Sequence, residues 1–86
     1  MDADIHTRVA VIRYHFGLEQ FNRGAFDKAQ VEFSLALRHN ASVYHYYVRR
    51  GDCYRYLEQN DLAFQDYKQA QLLNPVDPDV KVRELI

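Results

Sequence analysis

Histidine, cysteine and carboxylate side chains are the groups of this sequence that could bind a metal or act as a nucleophile. His15 and Glu19 lie four residues apart and would share one face of a helix, but the sequence offers no third or fourth ligand beside them. Cys53 has no basic partner that the sequence can show, so we expect a small, buried and inert thiol. The remaining histidines are expected to be exposed or to cap helices, and they are His6, His39 and His45.

Sequence motifs of catalysis are missing as well. There is no His-Glu-x-x-His pair, and the three glycines are isolated, so none belongs to a glycine-rich phosphate loop. Acid pairs such as Glu58 with Asp61 suit helix starts and solvated faces better than acid–base chemistry. We therefore expect no catalytic residue, no metal and no cofactor, and predict that the chain is not an enzyme.

The stretch YHYYVRRGDCYRY, residues 44–56, combines five tyrosines with three arginines. Such a mixture can stack bases and hold phosphates, and its Arg-Gly-Asp triplet also resembles an adhesion motif. However, a net charge of −1 gives the chain no basic footprint for nucleic acid. A helix over this stretch would also place Tyr47, Gly51 and Tyr54 on one inward face. We therefore do not expect nucleic acid to be the partner, and an RNA-binding helical repeat stays as a further alternative.

The elements that must position these residues repeat with a period of 34. At that shift Gly17 falls on Gly51 and Phe33 falls on Tyr67. Apolar residues recur at helical spacing within each unit, and no segment shows a sustained strand pattern. Ser42 is expected to cap the third helix. The pattern predicts five helices, near residues 4–22, 26–39, 43–57, 61–73 and 78–86.

The opening stretch MDADIHTRVAVIRYHF has neither the basic region nor the uninterrupted apolar run of a signal peptide. No apolar run approaches the length that spans a membrane. A single cysteine cannot form an internal disulfide, which is typical of a reducing compartment. These features lead us to expect a cytoplasmic protein with no membrane partner.

The second unit resembles the tetratricopeptide repeat (TPR), a helix-turn-helix of 34 residues. Its matching positions are Tyr47, Gly51, Tyr54, Ala63, Tyr67, Ala70 and Pro75. Arg50 stands where the family usually has leucine, and in the weaker first unit Arg13 and Gln20 replace the usual aromatic and tyrosine. The resemblance implies an all-α superhelix, a helical-repeat solenoid of two TPR units plus a C-terminal capping helix. The single domain would divide into repeat 1 at about 10–43, repeat 2 at about 44–77 and a terminal helix at 78–86.

The first helix is apolar on two sides. We expect Ile12 and Phe16 to face the core, while a second stripe contains Tyr14 and Leu18. In the TPR family the first helices of successive repeats line a groove that holds a peptide or a partner helix. Transferring those positions gives a groove of Val11, Tyr14, Leu18, Phe21, Asn22, His45, Val48, Arg49, Asp52, Arg55 and Tyr56.

The resemblance thus implies a scaffold or adaptor that binds another protein through apolar anchors on the first helix and a carboxylate near Arg55. Two alternatives stay open. A flanking helix of the same polypeptide could cover the apolar stripe. The chain could instead be a structural assembly element that stacks on itself as a homo-oligomer or on neighbouring repeats.

Overall fold

The computed structural model describes residues 2–76, which form four α-helices and no strand. The helices are α1 (Asp2–Asn22), α2 (Phe26–His39), α3 (Tyr44–Tyr56) and α4 (Asn60–Leu73). Each packs against the next in chain order, so two helical hairpins stack side by side. None of these four helices is long and apolar enough to cross a membrane. The all-α helical-repeat prediction is confirmed, whereas the predicted helix 78–86 lies outside the described residues and the repeat boundaries stay predictions.

The turns inside both hairpins have the same backbone geometry, 34 residues apart. Gly24 and Glu58 occupy equivalent places and are both left-handed, with φ of 78° and 63°. In each turn the following amide donates to the carbonyl five residues earlier, at 2.9 Å in the first hairpin and 2.8 Å in the second. This pattern closes a helix C-terminus by satisfying its last carbonyls. The repeat is therefore present in the backbone as well as in the sequence.

The turn between the hairpins differs from the expected one. The backbone N–H and the hydroxyl of Ser42 both donate to Oδ1 of Asn40, at 3.1 and 2.6 Å. Val43 takes the position before α3, and no side chain caps that helix. The prediction that Ser42 caps α3 was therefore wrong, because the serine is used to close the turn against Asn40.

One glycine in each hairpin allows its two helices to pack closely. A Cβ atom at Gly17 would lie 2.5 Å from the ring of Phe33, and one at Gly51 would lie 2.7 Å from the ring of Tyr67. Both contacts are much shorter than a normal van der Waals separation, so only glycine allows the rings to lie this close. The predicted inward position of Gly51 is confirmed, and this excludes a displayed adhesion loop.

The contact between Gly17 and Phe33 decides which side of α1 is buried. Because this face turns toward α2, Ile12 and Phe16 point outward and are 52% and 46% exposed. The prediction that these two residues face the core was wrong. Residue spacing alone shows two apolar stripes on this helix and does not indicate which of them is buried. Together with the exposed Ile5, these residues form what we call the α1 outer face.

Arg50 occupies a largely buried position that the resemblance assigns to leucine. Its guanidinium donates from Nε and Nη2 to both oxygens of Asp66, at 2.8 and 2.7 Å, and from Nη1 to the hydroxyl of Ser34 at 3.3 Å. It also lies 5.8 Å from the ring centroid of Tyr47 and 5.7 Å from that of Tyr54. The hydrogen bonds to Asp66 raise the pKa of Arg50 above its ordinary value. This network connects α2, α3 and α4 through polar contacts.

Candidate functional site

The predicted groove residues of α1, which we call the first wall, pack against the hydrophobic core. The ring of Tyr14 lies 5.5 Å from that of Phe33 and 4.8 Å from that of Tyr46, measured between centroids. Leu18 and Phe21 are half-buried and pack on the buried cluster that includes Phe33. Of the predicted residues on this helix, Val11 and Asn22 are the exposed ones. The wall is therefore held in place by α2 and α3.

The predicted groove residues of α3, which we call the second wall, are only partly exposed to solvent. His45 and Tyr56 are exposed, and Arg49 and Arg55 are half-buried. Val48 and Asp52 are buried, with Val48 packed on Ala70 of α4. The Asp52 carboxylate accepts a hydrogen bond of 2.5 Å from the hydroxyl of Tyr67. These two predicted groove residues contact α4, so the open side of α3 is lined by the other four.

An aromatic–arginine cluster lies where the C-terminal ends of α1 and α3 meet the start of α2. Phe26 stacks on Tyr56 with centroids 4.4 Å apart and planes inclined by 9°, and Phe21 meets both rings edge-on at 5.2 and 5.9 Å. Arg49 lies 5.6 Å from the ring centroid of Phe21, and Arg55 lies 5.6 Å from that of Tyr56. These five residues are the aromatic–arginine cluster.

The cluster carries positive charge on its rim. Neither Arg49 nor Arg55 forms an ion pair with a carboxylate of residues 4–76, the part of the chain with described side chains, in contrast to Arg13 and Arg50. Cation–π contacts hold the two guanidiniums over the rings while leaving their hydrogen-bond donors available. Tyr56 is 55% exposed, so an apolar surface lies directly beside these donors. An aromatic or aliphatic side chain with a neighbouring carboxylate fits this arrangement.

Phe26 belongs to the cluster but was absent from the predicted groove. It begins α2, and the groove positions were transferred from first helices only. Its aromatic character at the start of a helix was visible in the sequence. The stacking on Tyr56 requires knowledge of how α2 and α3 approach each other, which the sequence does not provide.

Much of the tyrosine and arginine content of residues 44–56 is used inside the fold. Tyr46 is buried, and the hydroxyl of Tyr54 accepts a hydrogen bond of 3.1 Å from the side chain of Gln30. Arg50 is occupied by Asp66. These groups are not available to stack bases or to contact phosphates, which weakens the RNA-binding alternative.

Cys53 is unsuited to nucleophilic chemistry. Its side chain is fully buried between α2 and α3, beside Ala29 and Phe33. Burial raises the pKa of this thiol to about 12, and the negative charge of Asp52 contributes in the same direction. The thiolate, which is the reactive form, is therefore scarce at neutral pH. The prediction of a small buried cysteine is confirmed.

Comparisons with known proteins agree with this architecture. No protein-family model matches the chain. The chain is 32% identical over 81 residues to human tetratricopeptide repeat protein 16 and 32% identical over 68 residues to the mouse protein of that name. The matched regions cover 94% and 79% of this chain, which spans only 9% of the length of either relative.

A solved structure gives the same fold. The Arabidopsis OM64 TPR domain superposes with a TM-score of 0.89, over 92% of this chain and 65% of that domain, at 19% sequence identity. The fold thus defines a helical-repeat module of a class that in general serves protein interaction without catalysis. The chain belongs to the tetratricopeptide repeat family, as the sequence predicted.

Proposed function

We propose that this module acts as a cytoplasmic scaffold or adaptor that binds a peptide or an amphipathic helix of another protein in the groove between α1 and α3. The observation that carries the proposal is the aromatic–arginine cluster, where exposed ring surface adjoins two guanidiniums without described carboxylate partners. Helix-in-groove recognition uses apolar anchors of this kind, with polar groups that fix orientation.

Preorganisation supports the same proposal. Tyr14, Leu18 and Phe21 are held by core packing, so a ligand does not have to order them. Phe26 and Tyr56 restrict each other by stacking. The receptor therefore loses little conformational entropy on binding, and most of the ordering cost falls on the ligand.

The charge of the cluster defines the ligand class. A carboxylate that approaches Arg49 or Arg55 can accept charge-assisted hydrogen bonds while the guanidiniums remain over the rings. The preferred segment therefore has an aromatic or large aliphatic residue within one helical turn of Asp or Glu. A segment with Lys or Arg at that position would be repelled.

Peptide display on the immobilised module tests this proposal. We expect selected peptides to carry such an apolar residue beside an acidic one. The affinity for a selected peptide should fall by about tenfold to a hundredfold in each of three variants, Tyr56→Ala, Arg49→Glu and Arg55→Glu. Each of them removes ring surface or a charge-assisted contact. Fluorescence anisotropy with a labelled peptide measures the dissociation constants.

Phe64→Ala is the matched control. Phe64 is 49% exposed and has Lys68 5.4 Å from its ring centroid, so its surroundings resemble those of Tyr56 beside Arg55. It belongs to α4, whereas the proposed groove lies between α1 and α3. Binding should be unchanged in this variant, and circular dichroism should show every variant to be helical. An equal loss in Phe64→Ala, or selection of peptides without acidic residues, would contradict the proposed groove.

A second candidate function is self-assembly, favoured by the α1 outer face. Ile5, Ile12 and Phe16 lie along one side of α1 and are exposed. In the second repeat, the positions equivalent to Ile12 and Phe16 are Tyr46 and Arg50, which contact α2. This candidate predicts that light scattering shows the mass rising with concentration, and that Ile12→Glu abolishes the rise. A monomer at high concentration would refute it.

A further inference from the structure

Two histidines that are far apart in sequence meet on the surface of the first hairpin. Nδ1 of His6 lies 3.0 Å from Nδ1 of His39, and the rings stack with centroids 5.2 Å apart and planes inclined by 29°. In neutral imidazoles such a contact requires one ring to donate its N–H and the other to accept with its lone pair. One N–H···N hydrogen bond between the two rings thus connects α1 with α2.

The hairpin register explains this contact. Arg13 and Glu32 pair at 3.4 Å, and His6 and His39 lie seven residues farther from the turn on the same two helices. Seven residues are close to two helical turns, so both pairs fall on one seam between antiparallel helices. The sequence prediction treated these histidines as independent, because the seam register is not visible without the helix packing.

The spacing of the two nitrogens suits a metal ion. Bonds of about 2.0–2.1 Å to a common ion place two imidazole nitrogens about 2.9 Å apart at a right angle and about 3.3 Å apart at a tetrahedral angle. The observed 3.0 Å falls between these values. A metal ion between these atoms would require both rings to carry their N–H at Nε2, so that both Nδ1 lone pairs are available as ligands.

We propose that His6 and His39 form a two-histidine site for a divalent late transition-metal ion, such as Ni²⁺, Cu²⁺ or Zn²⁺. His6 is exposed and His39 is half-buried, so an ion can enter from solvent. Among residues 4–76, whose side chains the structure describes, no group of three or more His, Cys, Asp or Glu could hold a metal, so water would complete the coordination. Because His39 ends α2, the negative end of that helix dipole also favours a cation there.

Metal binding at this position would fasten α1 to the end of α2. Once one histidine binds the ion, the second ligand is already beside it, so its contribution is intramolecular. An ion bound by both helices also stabilises the folded hairpin relative to the unfolded chain. The site is thus a clamp on the first repeat and is independent of the proposed groove.

Titration calorimetry with Ni²⁺ on a protein without a histidine tag tests this site. We expect one ion per chain, an affinity reduced about tenfold or more in either His6→Gln or His39→Gln, and a rise in Tm with Ni²⁺ that both variants lose. His15→Gln and His45→Gln are matched controls, since both histidines are exposed and their rings contact Tyr14 and Tyr44, and they should leave affinity and Tm shift unchanged. Unchanged binding in His6→Gln, or equal losses in all four variants, would overturn the proposal.

Discussion

Phe33→Ala is expected to lower the free energy of unfolding by about 3–5 kcal/mol, the range found when large buried aromatic residues are truncated. Phe33 is fully buried, and its ring fills the space beside Gly17 and Tyr14. A domain of this size has a total stability of only about 5–10 kcal/mol, so the variant should lose a large share of its stability. Urea denaturation followed by circular dichroism measures the change.

Gly17→Ala provides an internal check on that contact. In the native background the new methyl group meets the Phe33 ring at 2.5 Å and should destabilise the fold by about 1–3 kcal/mol. In the Phe33→Ala background the same methyl group has room. The higher helix propensity of alanine relative to glycine should then stabilise the fold by up to about 1 kcal/mol. A change of sign in this double-mutant cycle is the expected result. Additive effects would show that the ring does not set the helix approach.

Arg50→Leu is expected to destabilise the fold by about 3 kcal/mol, although leucine is the residue that the family usually has here. The substitution leaves the carboxylate of Asp66, whose side chain is only 7% exposed, without its cation. Removing one partner of a buried ion pair costs about 3–5 kcal/mol, and partial exposure of Arg50 places the effect at the lower end. Thermal and urea unfolding of the single variant give the magnitude.

A double variant separates the ion pair from packing. Arg50→Leu combined with Asp66→Leu removes both charges and should recover most of the lost stability, because apolar replacements of buried pairs are often neutral or better. Arg13→Leu is the control, since its pair with Glu32 is longer and more exposed and should contribute less than about 1 kcal/mol. If the double variant were less stable than Arg50→Leu alone, the interface would depend on Asp66 for reasons other than this pair.

The sequence was sufficient for the fold because local signals and the repeat agreed. The four described helices begin and end within two residues of the predicted bounds. Gly17 and Gly51, Phe33 and Tyr67, and the alanines of the second helices all recur at 34 residues, and each pair has the same packing role. A pattern that repeats in both units constrains pairing between helices as well as helix formation.

The site was less predictable, because its chemistry depends on which helix faces meet. Val48 and Asp52 were transferred from groove positions but contact α4, and Asp52 bonds to Tyr67. Phe26 was missed because it reaches the aromatic–arginine cluster from a second helix. Spacing predicts that residues share a face, but the orientation of that face relative to a neighbour follows from side-chain packing.

The two hairpin turns have a consequence for how divergent repeats are compared. Gly24 and Glu58 are chemically unlike, yet both adopt the left-handed angle that ends their helix. Glycine meets this requirement without strain, whereas glutamate does so at an energetic penalty. At this position the two repeats share a backbone torsion angle and not a residue type. Sequence identity between the repeats therefore understates their structural similarity.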